Sequence, residues 1–236
     1  MIVDINEYLK LPLNELKLYL ARPEFYKLYF DVCEQNHGHL MDKLLGLDSL
    51  VNEKLLVKNS EHKKGPKRWI GLSPQTLQAP YHEMYDFFSL LKEEKIARVI
   101  DFGAGYGRLA LLTHAFFPDA EFIGLEAIEA RVQLGRKMLQ QFELDDKASL
   151  VLQDLLQWNF KAKKYDLYFI YDFSDVVSIK NFLEIIKEKF VSEDCFIVAR
   201  GKAVRSLIQN KYREFWALHG VYHSDNWSLY CSFKDI

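Results

Sequence analysis

The chain has 236 residues, 49% hydrophobic and 27% charged, with 17 Phe and 13 Tyr, a composition that suits one large core, or one domain of about 150 residues with a smaller appendage. Its formal net charge of -2 argues against a global field that would draw nucleic acid or an acidic membrane. Three widely spaced cysteines, Cys33, Cys195 and Cys231, argue against a disulfide framework or a cysteine metal cluster, and with no signal-like amino end and no apolar run of membrane-spanning length they place the protein in the cytoplasm with its thiols reduced.

Residues 1–70 read as a helical cap. Leu13, Leu16, Leu18 and Leu20, then Phe25, Leu28, Tyr29 and Val32, recur at mixed spacings of three and four, with Pro12 and Pro23 placed to begin or break turns. Leu40, Leu44, Leu45, Leu47, Leu50, Leu55 and Leu56 continue the pattern through a second helical pair. His37 and His39 lack a cysteine or carboxylate at ligand spacing, so no metal site is expected of them. The polar run His-Lys-Lys-Gly-Pro-Lys-Arg over 62–68 marks the boundary to a second unit, residues 71–236. Its four cations are either solvated or turned toward an acidic substrate. A polar lead-in over 69–81 then enters a helix over 81–93.

Residues 96–126 read as strand, glycine turn, helix, second strand and terminal carboxylate. Val99 and Ile100 form a short β-branched run, and Asp101 sits at the strand's carboxyl end, where open α/β sheets bind ligands. A helix is expected over 107–117, stopped by Pro118 and Asp119, and the second strand ends in Leu125 and Glu126. The dinucleotide spacing G-x-G-x-x-G fails here: counted from Gly103 its third position is Arg108, and counted from Gly105 it is Ala110. What fits is an acid followed by alternating glycines, Asp101-x-Gly103-x-Gly105-x-Gly107. A carboxylate ending the second strand can accept from two neighbouring ribose hydroxyls, which makes Glu126 a candidate. An acid among glycines suits a cationic ligand with an amino-acid tail, which makes Asp101 another. The competing reading is an ordinary strand-to-helix turn with solvated acids.

With these residues, the stretch from about 96 to 195 resembles motif I and its partner acid in the class I (seven-strand, Rossmann-like) S-adenosylmethionine-dependent methyltransferases. The resemblance implies S-adenosyl-L-methionine as cofactor, held by Asp101, Gly103, Ala104, Gly105, Gly107 and Arg108 from the loop and by Glu126 and Ala127 from the second strand's end. It also implies that Gln75, Gln78 and Tyr81, just ahead of the first strand, wall the methionine end; alternatively they are a polar lead-in to an amphipathic helix.

A helix over 128–142 carries Val132, Leu134, Met138 and Leu139 inward and Glu129, Arg131 and Arg136 on its wet side. A third strand over 149–152 delivers Asp154 and Leu155, which by the resemblance meet the adenine; Asp154 could equally cap a short helix. The aromatic run over 165–171 is the central fourth strand and delivers Asp172, Phe173, Ser174 and Asp175 to the ligand edge. Methyl transfer is an in-line displacement helped by holding the acceptor close, with a base needed only for an acceptor that must lose a proton. Asp172 is therefore the candidate catalytic residue, and it also borders the cofactor; Ser174 or Asp175 could instead open the helix over 176–190.

The tetrapeptide Asp/Asn-Pro-Pro-Tyr/Phe of many amino-group methylators of nucleobases is absent from 172–175, and no Pro-Cys pair serves cytosine carbon-five. These absences argue against a nucleic-acid partner, whereas Tyr171 and Phe173 suit a small planar or amine acceptor or a protein lysine. Cys195 opens the fifth strand as a buried residue. A helix over 203–214 and a hairpin of 216–222 with 227–233 close the chain; His219 and His223 alternate on it as rim or core residues. The expected architecture is α/β, a seven-strand doubly wound, mostly parallel sheet with an antiparallel carboxyl-terminal hairpin, plus the amino-terminal cap forming part of the acceptor pocket. The expected activity is methyl transfer to an amine or hydroxyl of a small molecule or protein. The rivals are a nicotinamide oxidoreductase, an aminopropyl-transferring synthase and a non-catalytic module on the same fold.

Overall fold

The computed structural model describes residues 5–27, 34–59, 70, 72–157, 163–212 and 221–233. The described chain opens with α1 (Ile5–Tyr8), α2 (Leu13–Leu20), α3 (Glu34–Leu44) and α4 (Ser49–Asn59), the helices of the cap. Then follow α5 (Pro74–Leu77), α6 (Tyr81–Leu91), β1 (Arg98–Phe102), α7 (Arg108–Phe116), β2 (Glu121–Glu126), α8 (Glu129–Gln141), β3 (Ala148–Leu152), β4 (Leu167–Tyr171), α9 (Val176–Ser192), β5 (Phe196–Arg200), α10 (Lys202–Lys211), β6 (Val221–His223) and β7 (Trp227–Cys231). Proline fixes two helix starts: Pro12 and Pro80 sit just ahead of α2 and α6 with extended backbones, where a missing N–H costs no intrahelical bond. Helix α6 stops at Leu91, two residues short of the expected 93, where Lys92, Glu93 and Glu94 replace the apolar stripe.

The seven strands form one sheet in the order β3-β2-β1-β4-β5-β7-β6. β1 to β5 run parallel; β7 runs antiparallel to β5 and to β6. Because strand side chains alternate, the central strands feed two cores. Val99, Leu167, Phe169, Phe196 and Val198 point to one face, and Ile100, Phe102, Tyr168, Ile170 and Ile197 to the other. The first face is covered by α6 and α7 and, beyond them, by the cap: Leu16, Leu20, Phe25, Met41, Leu45 and Leu47 belong to the same continuous core. The basic run over 62–68, His219 and Cys33 lie outside the described residues, as does most of the hairpin arm expected over 216–222.

Histidine 37 is buried and meets the Tyr81 ring edge-on, and among the described residues no cluster could hold a metal ion. Cys195 and Cys231 are buried and free; burial pushes the Cys195 thiol up to about 12, so it is no nucleophile at neutral pH. Among the described residues no helix is long and apolar enough to cross a membrane.

Candidate active site

A cleft of about 790 Å³ opens at the carboxyl ends of β1, β2, β4 and β5. It lies where the chain departs from β1 in two directions, to β2 on one side and β4 on the other, the crevice in which doubly wound sheets bind ligands. One wall comes from the turn after β1 and the end of β2, the other from the ends of β4 and β5 and the first turns of α10.

The first wall is the glycine bend. Gly105 has φ +56°, a conformation that side chains rarely adopt, and its N–H donates to Glu126 Oε2 at 3.0 Å. The Ile128 N–H donates to Glu126 Oε1 at 2.8 Å. Glu126 is thus a buried carboxylate tied to the bend and to the entry of α8, yet its oxygens retain acceptor capacity toward the cleft. Burial pushes its pKa up, against which Arg131 and the backbone amides pull down. Asp101, at the end of β1, is also buried, and its Oδ1 has no hydrogen-bond partner. Burial raises its pKa well above the carboxylate range, and the charge of Glu126 adds to the rise. The Gln78 side chain lies against Gly105, and both of its amide heteroatoms are buried and unpartnered. Three orphaned polar atoms around one glycine turn are a costly arrangement unless a ligand or water completes them.

Toward the β3 side, the Asp154 carboxylate accepts from the Leu156 N–H at 3.0 Å and so caps the turn Leu155–Gln157, while Leu155 offers an apolar face to the cleft. On the opposite wall the Arg200 guanidinium stacks 4.6 Å over the Tyr171 ring and pairs with the Glu83 carboxylate, which also accepts from the Asn226 amide at 2.9 Å. The Tyr171 hydroxyl donates to the Thr76 carbonyl at 2.6 Å. Asp172 accepts from the Ala203 and Val204 amides at 2.9 and 2.8 Å, filling the start of α10 from the neighbouring strand. That approach needs Gly201, where a Cβ would fall 2.4 Å from the Asp172 carboxyl carbon. Asp175 caps α9 through the Ser178 N–H. Lys202, Arg205 and Gln209, one face of α10, line the outer end of the cleft.

Of the expected site residues, Gln78, Gly103, Gly105, Glu126, Ala127, Asp154, Leu155 and Asp172 line this cleft. Four do not. Gly107 has φ +83° and backs onto Leu150, and Ala104 and Asp101 face a small cavity of about 20 Å³ behind the bend. That space holds about one water molecule, and it joins Asp101 to Gln78.

Tyr81 and Arg108 require correction. Tyr81 is fully buried and donates to Asp42 Oδ1 at 3.0 Å; the Arg108 guanidinium clamps the same carboxylate, with Nε 2.8 Å from Oδ1 and Nη2 on Oδ2, and lies 4.9 Å over the Tyr81 ring. With Ser49 also donating to Oδ2, Asp42 accepts four hydrogen bonds, the full capacity of a carboxylate. Both residues therefore fasten the cap rather than a cofactor. Gln75 is on α5, but its side chain lies outside the described residues.

Among the described residues none before Leu72 lines the cleft; α3 and α4 sit behind the bend instead. Arg131, expected on the wet side of α8, is buried there with Glu53 of α4. The signal for this was its spacing of four and seven from Gly135 and Met138, both buried on that helix.

The profile of the methyltransferase-domain family matches residues 93–228, more than half of the chain. No curated protein sequence matches it. Among solved structures, a methyltransferase of Podospora anserina bound to S-adenosyl-L-homocysteine is 14% identical, with a TM-score of 0.48 over 64% of this chain and 61% of that one. A Brevibacillus brevis O-methyltransferase from a polyketide synthase, also bound to that product, is 19% identical with a TM-score of 0.42, over 49% of this chain and 39% of that one. A putative caffeoyl-CoA O-methyltransferase of Staphylococcus aureus is 14% identical with a TM-score of 0.49, over 84% and 99% of the two chains. This chain thus spans less than two thirds of the first two proteins, and no identity here carries an acceptor across. With the profile match spanning the glycine bend and the second-strand acid, and the sheet closing on an antiparallel hairpin, the chain belongs to the class I S-adenosylmethionine-dependent methyltransferases.

Proposed function

We propose that this protein transfers a methyl group from S-adenosylmethionine to an amine or hydroxyl of a small molecule or protein side chain bound at the β4–β5 end of the cleft. The observation that carries the reading is Glu126: a buried carboxylate at the end of β2, anchored by two backbone amides and still able to accept from a pair of hydroxyls in the cleft. The rest of the wall fits the same group. Asp101 Oδ1 and the Gln78 amide offer unsatisfied buried polar atoms beside the bend for a charged amino-acid tail, and Asp154 with Leu155 offers a carboxylate and an apolar face for an adenine.

The cofactor supplies a methyl group on a sulfonium, an electrophile that needs no activation by a metal or an acid. The chain's task is then to align the acceptor, keep the cleft closed to bulk water and take up a proton where the acceptor carries one. Tyr171, flattened under Arg200, gives the acceptor end a fixed aromatic surface. Asp172 already holds two amides of α10, so we assign it to orienting the acceptor's N–H or O–H through its remaining acceptor capacity.

Titration calorimetry with S-adenosylmethionine and S-adenosylhomocysteine tests the cofactor half, and a labelled-methyl screen over metabolites and lysate proteins tests the transfer. Saturable binding of both compounds with label passing to an acceptor is expected; no binding of either compound overturns the proposal.

A further inference from the structure

We infer that Glu53, on cap helix α4, is a positioning residue of the cofactor site: by holding Arg131 it keeps the Glu126 carboxylate open to a ribose. The inference rests on the cofactor reading above and deepens it. Glu53 and Arg131 are 78 positions apart in sequence, and their pair is buried on both sides, with exposures of 3% and 7%. The geometry is two-pronged: Arg131 Nε donates to Glu53 Oε1 at 2.8 Å and Nη2 to Oε2 at 3.1 Å. The Tyr106 hydroxyl, from inside the glycine bend, donates to the same Glu53 Oε1 at 2.7 Å and accepts from the Asn52 amide at 2.8 Å. A cap carboxylate is therefore gripped from both the bend and α8.

The third nitrogen of that guanidinium decides the consequence. Arg131 Nη1 stands 3.7 Å from Glu126 Oε1, close enough for charge attraction and beyond hydrogen-bond length. At that distance Arg131 favours the ionised, acceptor-only form of Glu126 without occupying its lone pairs. A planar guanidinium whose Nε and Nη2 are committed to one carboxylate cannot also turn its fork onto a second. Without Glu53, nothing in this grip stops Arg131 from closing onto Glu126, and the two would form the bidentate pair that a ribose diol must then displace. The cap thus acts on the cofactor wall from behind, although its described helices contribute no surface to the cleft.

The test separates positioning from simple stability. Binding of S-adenosylhomocysteine and of its 2′-deoxy analogue is measured for the wild type, Glu53→Gln and Tyr106→Phe, with thermal unfolding followed in parallel. Loss of one hydroxyl to a charged acceptor is expected to weaken binding to the wild type about ten-fold or more. In Glu53→Gln the natural ligand is expected to weaken about ten-fold and the deoxy analogue less than about two-fold, so that the ratio between them collapses. Tyr106→Phe, which keeps every charge and removes only the hydroxyl that steadies Glu53, is expected to lower the ratio about three-fold in a less perturbed background. Asp42→Asn loosens the cap's other buried pair without touching Arg131, and is expected to lower the melting temperature with the ratio unchanged. If both Glu53→Gln and Tyr106→Phe keep the wild-type ratio, Glu53 is only structural and the inference is overturned. If the wild type binds neither ligand, the cofactor reading itself fails.

Discussion

Glu126 and Asp101 meet across the glycine bend, and their burial sets two opposed demands. As an ionised carboxylate Glu126 can accept from a ribose; protonated, it loses acceptor capacity. Replacing it by Gln is therefore expected to weaken S-adenosylhomocysteine binding about ten- to hundred-fold, the worth of hydrogen bonds to a charged group, and to lower the melting temperature as well, because the Gln amide nitrogen must face one of the two backbone N–H donors that Glu126 accepts from. Calorimetry on the folded variant checks this. Because burial raises the Glu126 pKa, wild-type affinity is expected to fall as pH is lowered through a value above the ordinary glutamate range near about 4.3, and Glu126→Gln is expected to lose that dependence. Asp101 bears on stability in the opposite sense. Its folded pKa is raised, first by burial and then by Glu126, so the folded state holds a proton that the unfolded chain has released. The stability this contributes is complete below the unfolded pKa and is lost as pH rises toward the folded one. Asp101→Asn is expected to raise the ligand-free melting temperature at neutral pH by about 2–4 °C, as relief of about 1 kcal/mol does in a chain of this size, while weakening cofactor binding. A melting temperature that falls at neutral pH would show that the charge is compensated. Both acids were legible in the sequence, since each closes a strand within one unbroken strand, bend and strand. What Arg131 does was not legible, because its partner Glu53 lies in a helix with no motif of its own.

At the scale of elements, the bend is held by two helices that no local pattern connects to it. Arg108 opens α7 and meets Asp42 of α3, 66 positions earlier; Tyr106 and Arg131 meet Glu53 of α4. Charge placement within a helix can be read from a sequence, but the partner of a buried charge depends on which helix is packed against it. That is why Arg108, one residue past the last motif glycine, was expected at the cofactor and instead ties down the cap. The same limit affects Tyr81, whose place ahead of β1 suited a cofactor wall while its hydroxyl serves Asp42. Strand identities, by contrast, follow from branched and aromatic runs, and β4 and β5 lie where those runs lie. Removing one member of a buried ion pair leaves the other charge without a counter-ion, so Asp42→Ala is expected to cost about 3–5 kcal/mol. In a chain of this size each kcal/mol is about 2–4 °C of melting temperature, and a thermal scan that moved by less than a degree would contradict the clamp.

Across the whole molecule, the sheet order puts the cofactor wall and the acceptor wall on either side of the β1–β4 junction, and one of its two cores reaches without a break into the cap. Met41, Leu45 and Leu47 from the cap are buried in the same cluster as Phe87, Phe88, Val99 and Phe122, and Tyr26 stacks on Tyr81 with ring centroids 6.1 Å apart. The polar run over 62–68 reads as a domain boundary, yet the packing on either side of the described chain gives the cap no core of its own. A fragment beginning at residue 70 would expose this apolar face and strand the Arg108 and Arg131 guanidiniums without their carboxylates, a combination expected to exceed the about 5–15 kcal/mol by which folded domains are stable. Such a fragment is therefore expected to show no cooperative thermal transition and to bind a hydrophobic dye, whereas the full chain melts in one step. A fragment that melted as sharply as the full chain, and at a similar temperature, would mean that the catalytic sheet stands alone and that the cap is an attachment. In that event the two buried pairs would be a consequence of docking rather than a condition of folding.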